Sequence, residues 1–212
     1  IQNSAFSYCT SLESINIPAG VTSIGNYAFD SCTSLESINI PVGITSIGDY
    51  AFEDCTALKS VVIPQSVTNI GYAAFSRCDK LVSIDIPMGV SMISNHTFEN
   101  CISLTAINIP TSVRQIGDES FMGCTALESI DIPEGVTSVG QRAFMHCTAL
   151  ESAALPDSLT EIKAGAFQDC TALKSINIPK GVTSIAASAF SYCQALADVT
   201  LPEGIQGIDM CA

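Results

Sequence analysis

CTSLESINIPVGITSIGDYAFED, residues 32–54, decides the fold of this chain. Its first residue, Cys32, recurs without slippage as Cys9, Cys55, Cys78, Cys101, Cys124, Cys147, Cys170 and Cys193, always 23 residues apart. Phe52 belongs to a column running from Phe6 to Phe190, Pro41 to one from Pro18 to Pro202, and Leu35 to one from Leu12 to Leu196. All nine prolines and all nine phenylalanines keep this register. A fixed period of this length is one small unit stacked on copies of itself. Counted from cysteine to cysteine, eight units are complete, with a partial one at each end.

Within the unit, Ile38 and Ile40 alternate with Ser37 and Asn39, the period of a strand with one face buried. Pro41 then lacks an N–H for the ladder and turns the chain. Eleven of the fourteen glycines fall in the columns of Gly43 and Gly48, where positive φ or close backbone approach is expected. Ile44 and Ile47 are expected to point inward from a second leg, and Ala51 and Phe52 from a third, with Cys55 closing the coil. No single coil can bury these side chains, but neighbours stacked at about 4.8 Å can. The coils should therefore build one parallel sheet roughly 40 Å long at that spacing. Truncating a central phenylalanine, Phe98 or Phe121, should cost about 3–5 kcal/mol, and Phe6, near an open end, less.

Composition narrows the function. Apolar residues make up 47% of the chain, enough for a core, and charged residues only 14%. The net charge of −13 disfavours nucleic acid, whose phosphates are neutralised by Lys and Arg, and anionic membrane surfaces. It favours basic partners or simple solubility. No apolar run reaches the length of a membrane span. No column shifts and no linker interrupts the repeat, so residues 1–212 read as a single domain. The chain starts at Ile1, in the column of Ile24 and Ile47, and ends inside another repeat. Solenoids close their ends with polar capping repeats. The expectation is therefore an internal segment of a longer protein.

The pattern Leu-x-x-Ile-x-Ile-Pro, then Val-x-x-Ile-Gly, Ala-Phe and Cys resembles the leucine-rich repeats of the Treponema pallidum type, also called BspA-like. The resemblance covers the whole chain. Gly20, Gly43 and Ser66 stand where the general leucine-rich signature has Asn or Cys, a departure characteristic of this subclass. The resemblance implies a β-rich solenoid: a right-handed coil with a parallel sheet on one face and short strands or turns on the other. It further implies a cell-surface or secreted protein of a bacterium or protist. Its function would be adhesion or recognition of a protein or glycan, such as host matrix or another cell, without catalysis or cofactor. The motif columns are structural, so no binding residue is carried over from the family.

The exposed side of the first strand is the candidate surface. Its residues include Ser37, Ser60, Ser83 and Ala106 in one column, and Asn39, Val62, Asp85, Asn108, Asp131 and Ala154 in the other. The candidate binding residues are Glu36, Lys59, Val62, Asp85, Asn108, Asp131, Lys174 and Asp198. Val62, Asp85, Ala154 and Asp198 depart from the column pattern in ways that would encode specificity. The alternative is a plain solvated face, small because coils pack closely, on a protein that serves as a spacer or stalk. Serine on this face has no paired base, which argues against a nucleophile.

Other columns carry competing readings. The cysteine spacing lacks the short Cys-x-x-Cys intervals of metal sites. Adjacent coils bring equivalent cysteines within bridging distance, but side chains pointing in parallel favour a ladder of free thiols. Cys211 stands apart, in the surface column of Tyr27, Tyr50, His96, Glu119 and Arg142, as a reactive thiol, an intermolecular bridge or a frayed end. A threonine ladder from Thr22 to Thr183, interrupted at Ser91 and Arg114, has the form of an ordered-water surface, though threonine suits extended edges anyway. His96 and His146, in different columns with no repeating carboxylate pattern around either, read as exposed turn residues, with a catalytic or metal role as the alternative. Asp30, Glu53, Asp54, Glu99 and Asp169, near the cysteines, are too irregular for calcium between coils.

Overall fold

The 23-residue period becomes a coil of three legs in the computed structural model, which describes all residues, Ile1–Ala212. The first legs carry eight three-residue strands, from Ser37–Asn39 to Asp198–Thr200. The second legs carry nine two-residue strands, from Ser23–Ile24 to Gly207–Ile208. There is no helix. Every pairing is parallel and joins residues 23 apart, as in Ser37↔Ser60 and Ser46↔Asn69. The register is strict because a one-residue slip would turn every isoleucine of a strand to solvent. In Ser37–Asn39 only Ile38 is buried.

The first legs form the expected parallel face along one side of the solenoid, with its ladder interrupted at two places. The first-leg strands divide into sheets of four, two and two, with pairing lapsing after Ala106–Asn108 and after Ser152–Ala154. The flanking bonds vary in length along this face. Glu151 N donates to Glu128 O at 2.9 Å between well-paired coils, whereas Glu128 N reaches Thr105 O only at 3.5 Å. Coils on this face are thus unevenly spaced. The second-leg strands divide into three sheets of three, with lapses at the coils of Ser94 and Lys163, two of the positions that lack the usual glycine; at Ala186, which also lacks it, pairing continues. The Ser94 hydroxyl donates to Ile70 O at 2.7 Å, taking the carbonyl that a backbone N–H takes in coils such as that of Gly48.

The third leg contains no strand. Tyr27, Phe29 and Ser31 donate N–H groups forward to Asp49 O, Ala51 O and Glu53 O, each at 2.8 Å. Ala28, Asp30 and Cys32 donate locally, three residues back. This alternation requires left-handed corners. Seventeen non-glycine residues have positive φ, among them Tyr27, Ser31, Tyr50, Asp54, His96 and Glu119. The expected glycine columns contribute only Gly43 and Gly135 to that region. A left-handed residue costs roughly 1–2 kcal/mol, which the inter-coil bond it allows helps to offset. The Gly48 column serves close approach instead, since a Cβ there would lie 2.6 Å from Asn26 N.

One core cluster of 54 residues runs from Ile17 to Ala189. Phe29 through Phe167 are fully buried at every coil. Their rings stack in near-parallel file, centroids 5.3 Å apart for Phe29–Phe52 and 5.9 Å for Phe75–Phe98. All ten cysteines are free thiols. The eight from Cys32 to Cys193 are more than small apolar fillers: Cys55 Sγ donates to Phe29 O at 3.2 Å and Cys101 Sγ to Phe75 O at 3.1 Å, and the pattern runs from Cys32 to Cys193. Each thiol thereby ties its coil to the preceding one. Burial pushes the thiols of Cys101 and Cys147 up to about 12.

Candidate functional site

The outward residues of the first-leg strands are exposed throughout, while the central residue faces the core. Asp85 lies opposite Asn108 in register, and Asp131 opposite Ala154. Between Asn108 and Asp131 the pairing lapses, and an open groove of about 300 Å³ forms there. Asp85, Asn108 and Asp131 line it beside Ser83 and Ser129. Ile107 lies at its base, half-buried where Ile84 and Ile130 are buried. Ala106 replaces the serine of neighbouring coils and leaves more room. The groove thus offers two carboxylates and an amide around an apolar base, a combination that suits an aliphatic stem ending in a cation or hydrogen-bond donor.

Three of the eight candidate residues meet in this groove, and the other five do not. Lys59 Nζ pairs with Glu36 Oε2 at 2.8 Å on the flank. The hydrogen bond from Lys59, more than its charge, holds the Glu36 carboxyl below the usual range. Lys174 Nζ likewise reaches Glu151 Oε2 at 2.6 Å. These exposed coil-to-coil pairs contribute little to stability. Val62 is 75% exposed beside Asn39, and Asp198 lies opposite Ser175 toward the C-terminal end.

The threonine ladder is engaged in stacking. Thr45 Oγ1 donates to Thr22 O at 3.3 Å and Thr68 Oγ1 to Thr45 O at 3.4 Å. The scattered carboxylates near the cysteines find separate partners: Asp30 accepts from Ser7 and Ser31 hydroxyls, and Asp54 faces Arg77. Burial, then the neighbouring Asp54, raises the Glu53 carboxyl.

Both histidines sit at turn corners, His146 exposed and His96 half-buried, but a carboxylate does recur beside each. His96 Nδ1 lies 2.7 Å from Glu99 Oε2 and 3.6 Å from Glu119 Oε2, and His146 Nδ1 lies 3.5 Å from Asp169 Oδ2. An aromatic ladder leads up to His96. Tyr27 stacks on Tyr50 at 4.6 Å, Tyr50 meets Tyr72 at 5.1 Å, and Tyr72 meets His96 at 4.9 Å. The period carries the signal for the carboxylates, since Glu119 stands 23 residues after His96. Tyr72 is hidden because it falls one place early in the column.

The family model for the BspA type leucine rich repeat region matches the chain in six copies, over residues 1–128 and 91–212. The crystal structure of the Treponema pallidum leucine rich repeat protein is 33% identical over 71% of this chain and 70% of its own, with a TM-score of 0.65. A leucine rich cell surface protein of Faecalibacterium prausnitzii A2-165 is 24% identical over 100% of this chain and 83% of its own, with a TM-score of 0.56. A leucine-rich repeat protein of Eubacterium ventriosum is 22% identical over 90% and 73%, at 0.57. The last two share the fold alone. No curated protein matches the sequence.

Proposed function

Because the chain belongs to the BspA-type leucine-rich repeat family, we propose that it is a non-enzymatic binding module that engages a partner protein through its exposed strand face. The groove at Asp85, Asn108 and Asp131 carries this reading, because there the repeat departs from its own average. A uniform stalk has no need of an open groove with an isoleucine at its base. The net charge of −13 points to a basic contact surface on the partner. We place the protein at the cell surface or outside the cell, by analogy with the relative described as a cell surface protein. No helix is long and apolar enough to cross a membrane.

The near-identity of the other coils supports a second reading, a spacer displaying other domains. The triple variant Asp85→Ala, Asn108→Ala, Asp131→Ala separates the two. Immobilised matrix proteins and whole cells would be presented to the parent and the variant at low and high salt. The binding reading expects capture by the parent, falling with salt, and at least about tenfold weaker in the variant. Equal capture by both chains would favour the spacer.

A further inference from the structure

A different surface, the third-leg corner, carries an inference independent of the strand face. We propose that His96, Glu99 and Glu119 form a site for one divalent transition-metal ion of the Zn²⁺ class, bridging two consecutive coils. His96 and Glu99 come from one corner, and Glu119 lies directly above His96 in the next coil. Their ligand atoms all lie within 4.8 Å of one another. A tetrahedral site with bonds of about 2.0–2.1 Å needs ligand atoms roughly 3.3 Å apart. His96 Nδ1 to Glu99 Oε2, at 2.7 Å, must open slightly, and His96 Nδ1 to Glu119 Oε2, at 3.6 Å, must close slightly. Both adjustments fall to the two glutamate side chains.

The surroundings orient the three ligands. Asn100 Nδ2 donates to Glu99 Oε1 at 3.2 Å, and Arg142 Nη1 donates to Glu119 Oε1 at 3.1 Å. Both glutamates therefore turn their other oxygen toward His96. Such outer contacts hold ligands in place at metal sites. The Arg142 charge opposes the ion and keeps affinity moderate. Tyr72 covers the imidazole on one side. All three ligand side chains are about one-fifth exposed, at 20–22%, so a further coordination position can face solvent or a partner's side chain. One nitrogen with two carboxylate oxygens is a donor set that suits Zn²⁺ and its neighbours rather than calcium. The combination occurs once along the solenoid: His146 has Asp169 but no third ligand. The column thiols are poor competitors, since burial keeps them protonated.

The test uses the whole chain, reduced, with exposed Cys9 and Cys211 changed to Ser. Zn²⁺ is titrated against a chromophoric chelator, and melting is followed with and without the ion. The expected result is one Zn²⁺ per chain at a micromolar dissociation constant, with a melting midpoint that rises on adding the ion. His96→Gln and Glu119→Gln should each weaken binding about tenfold or more and abolish that rise, while melting like the parent without metal. A chain that takes up no Zn²⁺ at millimolar concentration overturns the proposal. So does undiminished binding in His96→Gln. If that variant melts early without metal, Glu99→Gln decides by the same criterion.

Discussion

At the scale of single residues, one pairing rule explains where glycine is needed. Asn26 N donates to Asn3 Oδ1 at 2.9 Å, Asp49 N to Asn26 Oδ1 at 3.0 Å, and Tyr72 N to Asp49 Oδ1 at 2.8 Å. Asn95 and Asp118 repeat the bond. Gly25, Gly48, Gly71, Gly117 and Gly140 each follow their Asn or Asp by 22 residues; at the first four that oxygen and the backbone beside it, and at Gly140 the backbone of Gly117 and Asp118, lie where a Cβ would go. Where Tyr72, Gln141 and Ala164 replace the acceptor, Ser94, Lys163 and Ala186 replace the glycine. In Gly71→Ala the new Cβ would lie 2.6 Å from Asp49 N and Gly48 C, backbone atoms that cannot swing aside. Urea unfolding should show a loss of about 1–3 kcal/mol. Gly20→Ala, with nothing within 4 Å of the new methyl, should stay within about 0.5 kcal/mol. Both columns are visible in the sequence, but their linkage is not. It depends on an oxygen and a Cα meeting across two coils.

At the scale of the element, the phenylalanine file is the main stacking device. Adjacent rings lie offset at 5.3–5.9 Å with planes within 17°, an arrangement that adds to their burial. Phe121→Ala should cost about 3–5 kcal/mol in urea unfolding, because both neighbours hold the cavity open. Phe6→Ala should cost less, since Phe6 is only partly buried and stacks on Phe29 alone. Equal losses at the two positions would mean that the coils do not support one another as layers. The strand alternation around Ile38 and the turn at Pro41 were legible in the sequence. The left-handed corners at Tyr27 and Ser31 were not, because tyrosine and serine carry no mark of positive φ. Inter-coil hydrogen bonding imposes it.

At the scale of the whole molecule, the thiol column links stability to pH. Burial, first among the causes, raises the column thiols from Cys32 to Cys193 above the ordinary value of 9.0. The folded state holds these protons after the unfolded state has released them. Stability is therefore full below about pH 9 and is lost as pH rises toward 12, the value reached by Cys101 and Cys147. Each fully buried thiol contributes on the order of 1 kcal/mol per pH unit within that window. The urea midpoint should fall steeply between about pH 9 and 11, and Cys101→Ala should fall less steeply than the parent by about one proton's worth. Identical slopes would show that this thiol is not protonated in the folded chain.

The sequence by itself determined the coil, its inward residues and the register, because a period without slippage allows only one way for like side chains to stack. It also marked the strand face as the surface free to vary. Only the tertiary structure decided where that face opens, bringing Asp85, Asn108 and Asp131 to one groove, and which carboxylates reach His96. A repeat specifies the average coil. Departures of a few tenths of an ångström between neighbouring coils, and the rotamers that follow, are set by the sum of many contacts across layers, which no single column records.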